Sequence, residues 1–464
     1  MYLCALKTIG MTGQKTPTAL GTEKIGKLLM QYAIPAIIAM TASSLYNMVD
    51  SIFIGHGVGA MAISGLALTF PLMNLAAAFG SLVGVGASTL VSVKLGQKDY
   101  EGANNVLGNV FMLNLIMGVA FSVVFLLFLD PVLYFFGASE QTISYARDYM
   151  RIILYGNVIT HMYLGLNSVL RSSGYPKMAM FATLLSVVVN CLLNPLFIFV
   201  LDWGIKGAAW ATVFSQLISL IGQFIHFSRP TQLLHFHKGI YKPHKELVDA
   251  IISIGMSPFL MNLCSCLIVL LINWGLKEHG GDMAIGAYGI VNRIVFLFVM
   301  IIMGFNQGMQ PIAGYNFGAR QFHRVIDVTK LTTKWGIGVA TFGFLICQLF
   351  PELIVGFFTT DEELTSAAVY GLHIVFAVFP IVGFQMVSTN FFLSVGLSKM
   401  AIFLSLTRQM LFLVPCLIVL PRIWGTFGVW VSIPIADLTA TIVTAIVLIR
   451  QFRKFRQQQA EAIR

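Results

Sequence analysis

Long apolar runs separated by short polar breaks fill almost the whole chain. A helix needs about 20 mainly apolar residues to cross a bilayer, with a range of roughly 17–25. The runs make twelve such segments, at about 28–55, 61–93, 105–129, 146–170, 178–200, 207–227, 248–275, 283–316, 325–349, 364–396, 400–420 and 426–449. The longest polar connection, SRPTQLLHFHKGIYKPHKE at 228–246, reads as a linker. It is expected to be a solvated loop facing the membrane surface; the alternative is a metal site built on its three His residues.

The chain also resembles itself. SSGYPKMAMFATL (172–184) and SVGLSKMAIFLSL (394–406) are identical at seven of thirteen positions, 222 residues apart, where unrelated segments would share about one. At the same offset KLGQKD (94–99) faces NFGARQ (316–321), and with a one-residue shift Pro35 pairs with Pro258. Each half holds six spans, an even number, so both halves enter the membrane from the same side. The expected fold is an all-α integral membrane protein: twelve transmembrane helices in two six-helix lobes related by a parallel pseudo-two-fold repeat. Such repeats place a site near the midplane and rock one half against the other.

Composition agrees. Of 464 residues, 57% are hydrophobic and only 10% charged, against about 25% charged in soluble domains. The net charge of +10 needs no nucleic acid. The side that receives both termini and the even-numbered loops carries 22 Lys and Arg, and the other side five. That bias puts the termini in the cytoplasm. The expected organisation is a cytoplasmic N-terminal segment (1–26), an N-terminal lobe (27–227), a cytoplasmic linker (228–247), a C-terminal lobe (248–450) and a basic cytoplasmic tail (451–464). The first fifteen residues, interrupted by Lys7, do not read as a signal peptide, so the first span is expected to be retained; Met11 is a second candidate start. The six cysteines lie mostly in apolar runs and read as packed thiols.

Two acids lie deep inside spans, Asp50 and Asp437. A charge at the bilayer centre costs about 2.5–3.5 kcal/mol on insertion scales, so each needs a compensating environment. Tyr46 and Asn47 sit one turn before Asp50. Asn190 and Asn194 are four apart in the fifth span, as are Thr212 and Gln216 in the sixth, so each pair shares a helix face. Together they supply a carboxylate and several neutral oxygens, suited to a small hard cation or a proton; the plainer alternative is that the amides only bond helix to helix. Arg293 and Arg408 also lie within spans, and Arg293 is a candidate partner for Asp437. Pro35, Pro71, Pro258 and Pro434 interrupt helices, and Pro35 and Pro258 are the candidate hinges.

NPLFIFVLDWGIKGAAWATVFSQ (194–216), VLRSSGYPKMA (169–179) and the first-span pattern P…NMVDSIFIG resemble the multidrug and toxic compound extrusion (MATE) family over essentially the whole length. The resemblance implies a transporter, not an enzyme. It would export lipophilic, often cationic compounds by antiport with H⁺ or Na⁺ through alternating access, as a monomer in the cytoplasmic membrane. In the DinF/MepA-like branch it places the coupling-ion site at Asp50, Asn190, Asn194 and Thr212, with Asn47 and Gln216 behind them. Asn194 stands where many relatives carry a second acid, and the seventh and tenth spans lack the acids of the NorM-like branch. Candidates for the substrate cleft are Gln31, Tyr46, Met162, Tyr163 and Arg293. Small-molecule drugs and membrane lipid are the expected partners. No cofactor is expected, and no metal beyond Na⁺. The alternative is a flippase for a lipid-linked precursor, which would need a groove with many basic residues.

Overall fold

A computed structural model describes residues 18–58, 60–237, 239–240, 242, 244–359 and 361–463, except for the side chains of 47–48, 51–52, 55–56, 60–61, 63, 282 and 462–463. No strand occurs among them. The helices are α1 (Ala19–Thr22), α2 (Ile25–Gly57), α3 (Ala60–Gly96), α4 (Tyr100–Leu127), α5 (Leu129–Phe135), α6 (Ile143–Ser172), α7 (Pro176–Pro195), α8 (Gly204–Phe227), α9 (Lys245–Gly318), α10 (Phe322–Leu349), α11 (Pro351–Gly356), α12 (Glu362–Phe376), α13 (Phe379–Ser394), α14 (Ser398–Leu406) and α15 (Val414–Ile463). π-Helical turns, Leu196–Val200 and Thr407–Leu413, follow α7 and α14.

Among the described residues, eight stretches are apolar and long enough to cross a membrane unaided, and α12 with α13 forms a further span bent by 54°. Gly281 (φ 68°) divides α9 into two spans, and Gly425 (φ 58°) separates the eleventh span from the twelfth. The remaining two of the twelve are α6 and α10, whose apolar stretches are broken by polar residues, Asn157, His161 and Asn167 in one and Lys334 and Gln348 in the other. The repeat is visible in the backbone. Lys98 (φ 61°) and Arg320 (φ 55°), two non-glycine residues in the left-handed region, stand at the repeat offset, as do Gly174 (φ 102°) and Gly396 (φ 73°). A left-handed residue ends a helix and turns the chain, so these pairs close the second and eighth spans, and then the fourth and tenth, alike.

Packing divides the chain into two compact units that do not follow the 27–227 and 248–450 division. One holds Ile38–Phe259, and the other holds Lys24–Ile37 with Leu260–Arg464. The unit boundaries fall inside α2 and α9, two residues after Pro35 and one after Pro258. Glycine explains the assignment of the crossing segments. In the first unit a Cβ on Gly255 would lie 1.8 Å from Leu82 O, and one on Gly86 would lie 2.1 Å from Ile251 O. In the second, a Cβ on Gly308 would lie 2.7 Å from Ala33 N. Backbones touch at these points, as small residues permit within membranes. Gly255→Leu is therefore expected to push α9 off α3, with a clear loss of thermal stability in detergent, whereas Gly338→Leu, where a Cβ meets nothing within 4 Å, should unfold at the wild-type temperature.

The linker differs from the expected solvated loop. Asn104 Oδ1 accepts from His235 N–H (2.9 Å), and Asn109 Oδ1 accepts from His244 N–H (3.1 Å). Leu234 and Ile240 are buried, and Phe236 packs on Phe111, Phe224 and Phe227. Its apolar residues, spaced among polar ones, are what dock it against α4 and α8. No group of three or more metal-ligating side chains occurs among the described residues. In the tail, α15 continues to Ile463, and Phe455 within it is buried.

Candidate functional site

Asp50 lies in α2, facing α7 and α8, and is 5% exposed. Asn194 Nδ2 donates to Asp50 Oδ1 at 2.8 Å and to Asn190 Oδ1 at 2.7 Å. Asn190 Nδ2 donates to Thr212 Oγ1 (3.3 Å), which also shares a hydrogen bond with Tyr46 OH (2.9 Å). The four-residue spacing in α7 sets both amides on one face, and the chain of bonds ties three helices together. Pro195 ends the α-helix one residue beyond Asn194 because it carries no N–H to continue the ladder. The π turn that follows is a distortion often found at functional sites.

Asn194 Oδ1 is buried and has no hydrogen-bond partner among the described residues. An orphaned acceptor of this kind costs about 1–3 kcal/mol. The same chain of hydrogen bonds carries the Asp50 carboxylate, Asn190 Oδ1 and Thr212 Oγ1, all oxygens, a donor set suited to a hard cation. No Lys or Arg pairs with Asp50 among the described residues.

Other expected residues fall differently. Gln216 accepts from Thr160 Oγ1, linking α8 to α6 rather than joining the chain. The side chain of Asn47 lies outside the described residues. Among the cleft candidates, Tyr46 is part of the polar chain, and Met162 and Tyr163 are buried in the first unit. Gln31 and Arg293 belong to the second unit, where Arg293 is exposed. Tyr149, which the sequence did not single out, is fully buried near Asp50, Tyr46 and Thr212. At the start of the fourth span it is indistinguishable in sequence from an interfacial aromatic anchor.

Asp437 corrects a pairing. Its partner is Arg408, Nε to Oδ1 at 2.6 Å, and not Arg293. Arg408 sits in the Thr407–Leu413 π turn. At the repeat offset the first unit has Ser186 and Ser215, hydrogen-bonded at 3.4 Å. The two halves thus fill one structural position with a neutral pair and an ionic pair.

Two repeated bundles of membrane-spanning helices, one holding a carboxylate among neutral oxygens, define a membrane transporter. The chain belongs to the MatE family, whose model matches residues 35–196 and 254–418, and it is not an enzyme. It is 30% identical over 419 residues to the multidrug export protein MepA of Staphylococcus haemolyticus, covering 89% of this chain and 91% of that one. It is 29% identical to MepA of Staphylococcus aureus strain N315, covering 91% and 93%. In structure it is similar to a MATE protein crystallised in the bent conformation, with TM-score 0.91, 24% identity and coverage of 97% of this chain and 100% of that one. The straight conformation gives TM-score 0.90 at 23% identity, covering 96% and 100%.

Proposed function

We propose that this protein exports lipophilic, often cationic drugs and toxic organic compounds by antiport with H⁺ or Na⁺ through alternating access. It works as a single chain in the cytoplasmic membrane, with both termini cytoplasmic, the orientation favoured by the excess of Lys and Arg on that side. The observation that carries this reading is the buried Asp50, bonded to Asn194 and bordered by the orphaned Asn194 Oδ1. Asp50, Asn190, Asn194 and Thr212 hold the coupling ion. Binding neutralises the carboxylate and satisfies the amide oxygen; release leaves both uncompensated. That difference is the free energy by which an ion biases one conformation over another. Pro35 and Pro258 lie beside the points where α2 and α9 pass between packing units, so bending there lets each helix follow both units. Candidate drug contacts are Tyr46, Met162 and Tyr163 on the first unit, and Gln31 and Arg293 on the second. Tyr46, bonded to Thr212, reports ion occupancy to the substrate.

The test is drug efflux from proteoliposomes with a Na⁺ gradient and a pH gradient imposed separately. At least one gradient should drive efflux above the rate of protein-free vesicles. Transport that ignored both would end the antiport reading.

A further inference from the structure

Two helices of the second unit each change character along one exposed face. On α10 the exposed positions run His323, Asp327, Lys330 and Lys334, then Phe342, Leu345 and Leu349. On α15 they run Ile442, Ile446 and Ile449, then Arg453 and Arg456. Both faces pass from apolar to charged towards the end that carries the C-terminus. There the helices meet. Phe455 stacks on Phe322 with ring centroids 4.9 Å apart, and Phe322 N–H donates to Gln459 Oε1 at 3.1 Å. Between them lies a recess of about 220 Å³ lined by His323, Ile326, Asp327, Lys330, Phe455 and Arg456.

The walls are fixed by packing, since Phe455 is buried. The cations are not spent on neighbours: neither Lys330 nor Arg456 forms an ion pair among the described residues. Asp327 is the acid in the lining, and it lies close enough to Arg324 to interact with it. One to two turns membrane-ward of Lys330, the half-exposed Trp335 stacks on Phe305 at 5.7 Å, the placement of an aromatic anchor at a membrane interface.

We propose that this recess binds the phosphate headgroup of an anionic phospholipid, with its acyl chains lying along the apolar continuation of the same helix faces. Lys330 and Arg456 face the phosphate, and Lys334 and Arg453 raise the positive potential around it. Juxtamembrane clusters of this kind attract anionic lipid. The unbroken passage from cationic recess to exposed hydrocarbon surface selects a lipid over a free phosphate, which has no use for Ile442, Ile446 or Phe342. Asp327 opposes the anion and sets an upper limit on affinity.

The experiment is native mass spectrometry of the full-length protein, titrated with phosphatidylglycerol or phosphatidylcholine. Wild type should hold phosphatidylglycerol selectively. Lys330→Gln/Arg456→Gln should weaken that binding about 25-fold, about fivefold per charge, and leave phosphatidylcholine unchanged. Lys330→Arg/Arg456→Lys should restore it, and Asp327→Asn should tighten it about fivefold. Inorganic phosphate at millimolar concentration should not displace the lipid. Equal binding of both lipids, displacement by phosphate, or Asp327→Asn binding as wild type would each overturn the proposal. The last arm decides even if the double variant does not fold.

Discussion

Asp50→Asn is expected to abolish gradient-driven efflux while leaving the protein folded and able to bind drug. The substitution keeps the size of the side chain and removes its charge. Asn194 Nδ2 still finds an oxygen to donate to, so the chain from Asp50 through Asn194 and Asn190 to Thr212 survives. What disappears is the difference between an ionised and a neutralised site. Coupling between two ligands is typically worth about 1–3 kcal/mol, or 5–150-fold, so efflux should fall at least about tenfold towards the rate of protein-free vesicles. Drug affinity, measured by fluorescence anisotropy in detergent, should change far less. Asn194→Asp should instead add a second acid beside Asp50 and shift the pH at which efflux is half-maximal. Full gradient-driven efflux by the Asn variant would remove Asp50 from the mechanism.

The second large effect is expected at Arg408 and Asp437. Asp437 has 6% of its side chain exposed and Arg408 29%. Arg408→Leu leaves the carboxylate buried and uncompensated; breaking a buried pair from one side costs roughly 3–5 kcal/mol, and the partial exposure of Arg408 puts the loss near the lower figure. Arg408→Leu/Asp437→Leu should recover most of it, because replacing both charges by apolar groups removes the desolvation penalty together with the attraction. Thermal unfolding in detergent reads both variants. The repeat strengthens the expectation: Ser186 and Ser215 fill the matching position without charge, so the architecture tolerates a neutral pair. If Arg408→Leu unfolds at the wild-type temperature, the ion pair is not a structural staple.

Much of the site is legible in the sequence because local periodicity controls it. Asn190 and Asn194 must share a face at a spacing of four, whatever surrounds them, and they do. Asp50 stands out because a carboxylate is rare in hydrocarbon. Thr212 and Gln216 show the limit of that logic. They share a spacing as well, yet only Thr212 reaches the chain, while Gln216 turns to Thr160. Spacing fixes which residues lie together along a helix; which neighbour they meet depends on how the helices cross. Arg293 was the expected partner for Asp437, but the pair is made by Arg408, which sits in a π turn that no spacing along the helix announces.

By itself, then, the sequence determined the spans, their number, the duplication and the isolated acid, because lipid requires every backbone polar group to be satisfied within a helix and makes buried charge conspicuous. The tertiary structure decided the rest: that Asp50 meets Asn194, that the linker docks through Asn104 and Asn109, and that α2 and α9 change packing partners beside Pro35 and Pro258. These depend on the approach of residues more than a hundred positions apart. That approach is set by shape, by where a missing Cβ lets two backbones touch, and no pattern along one helix records it.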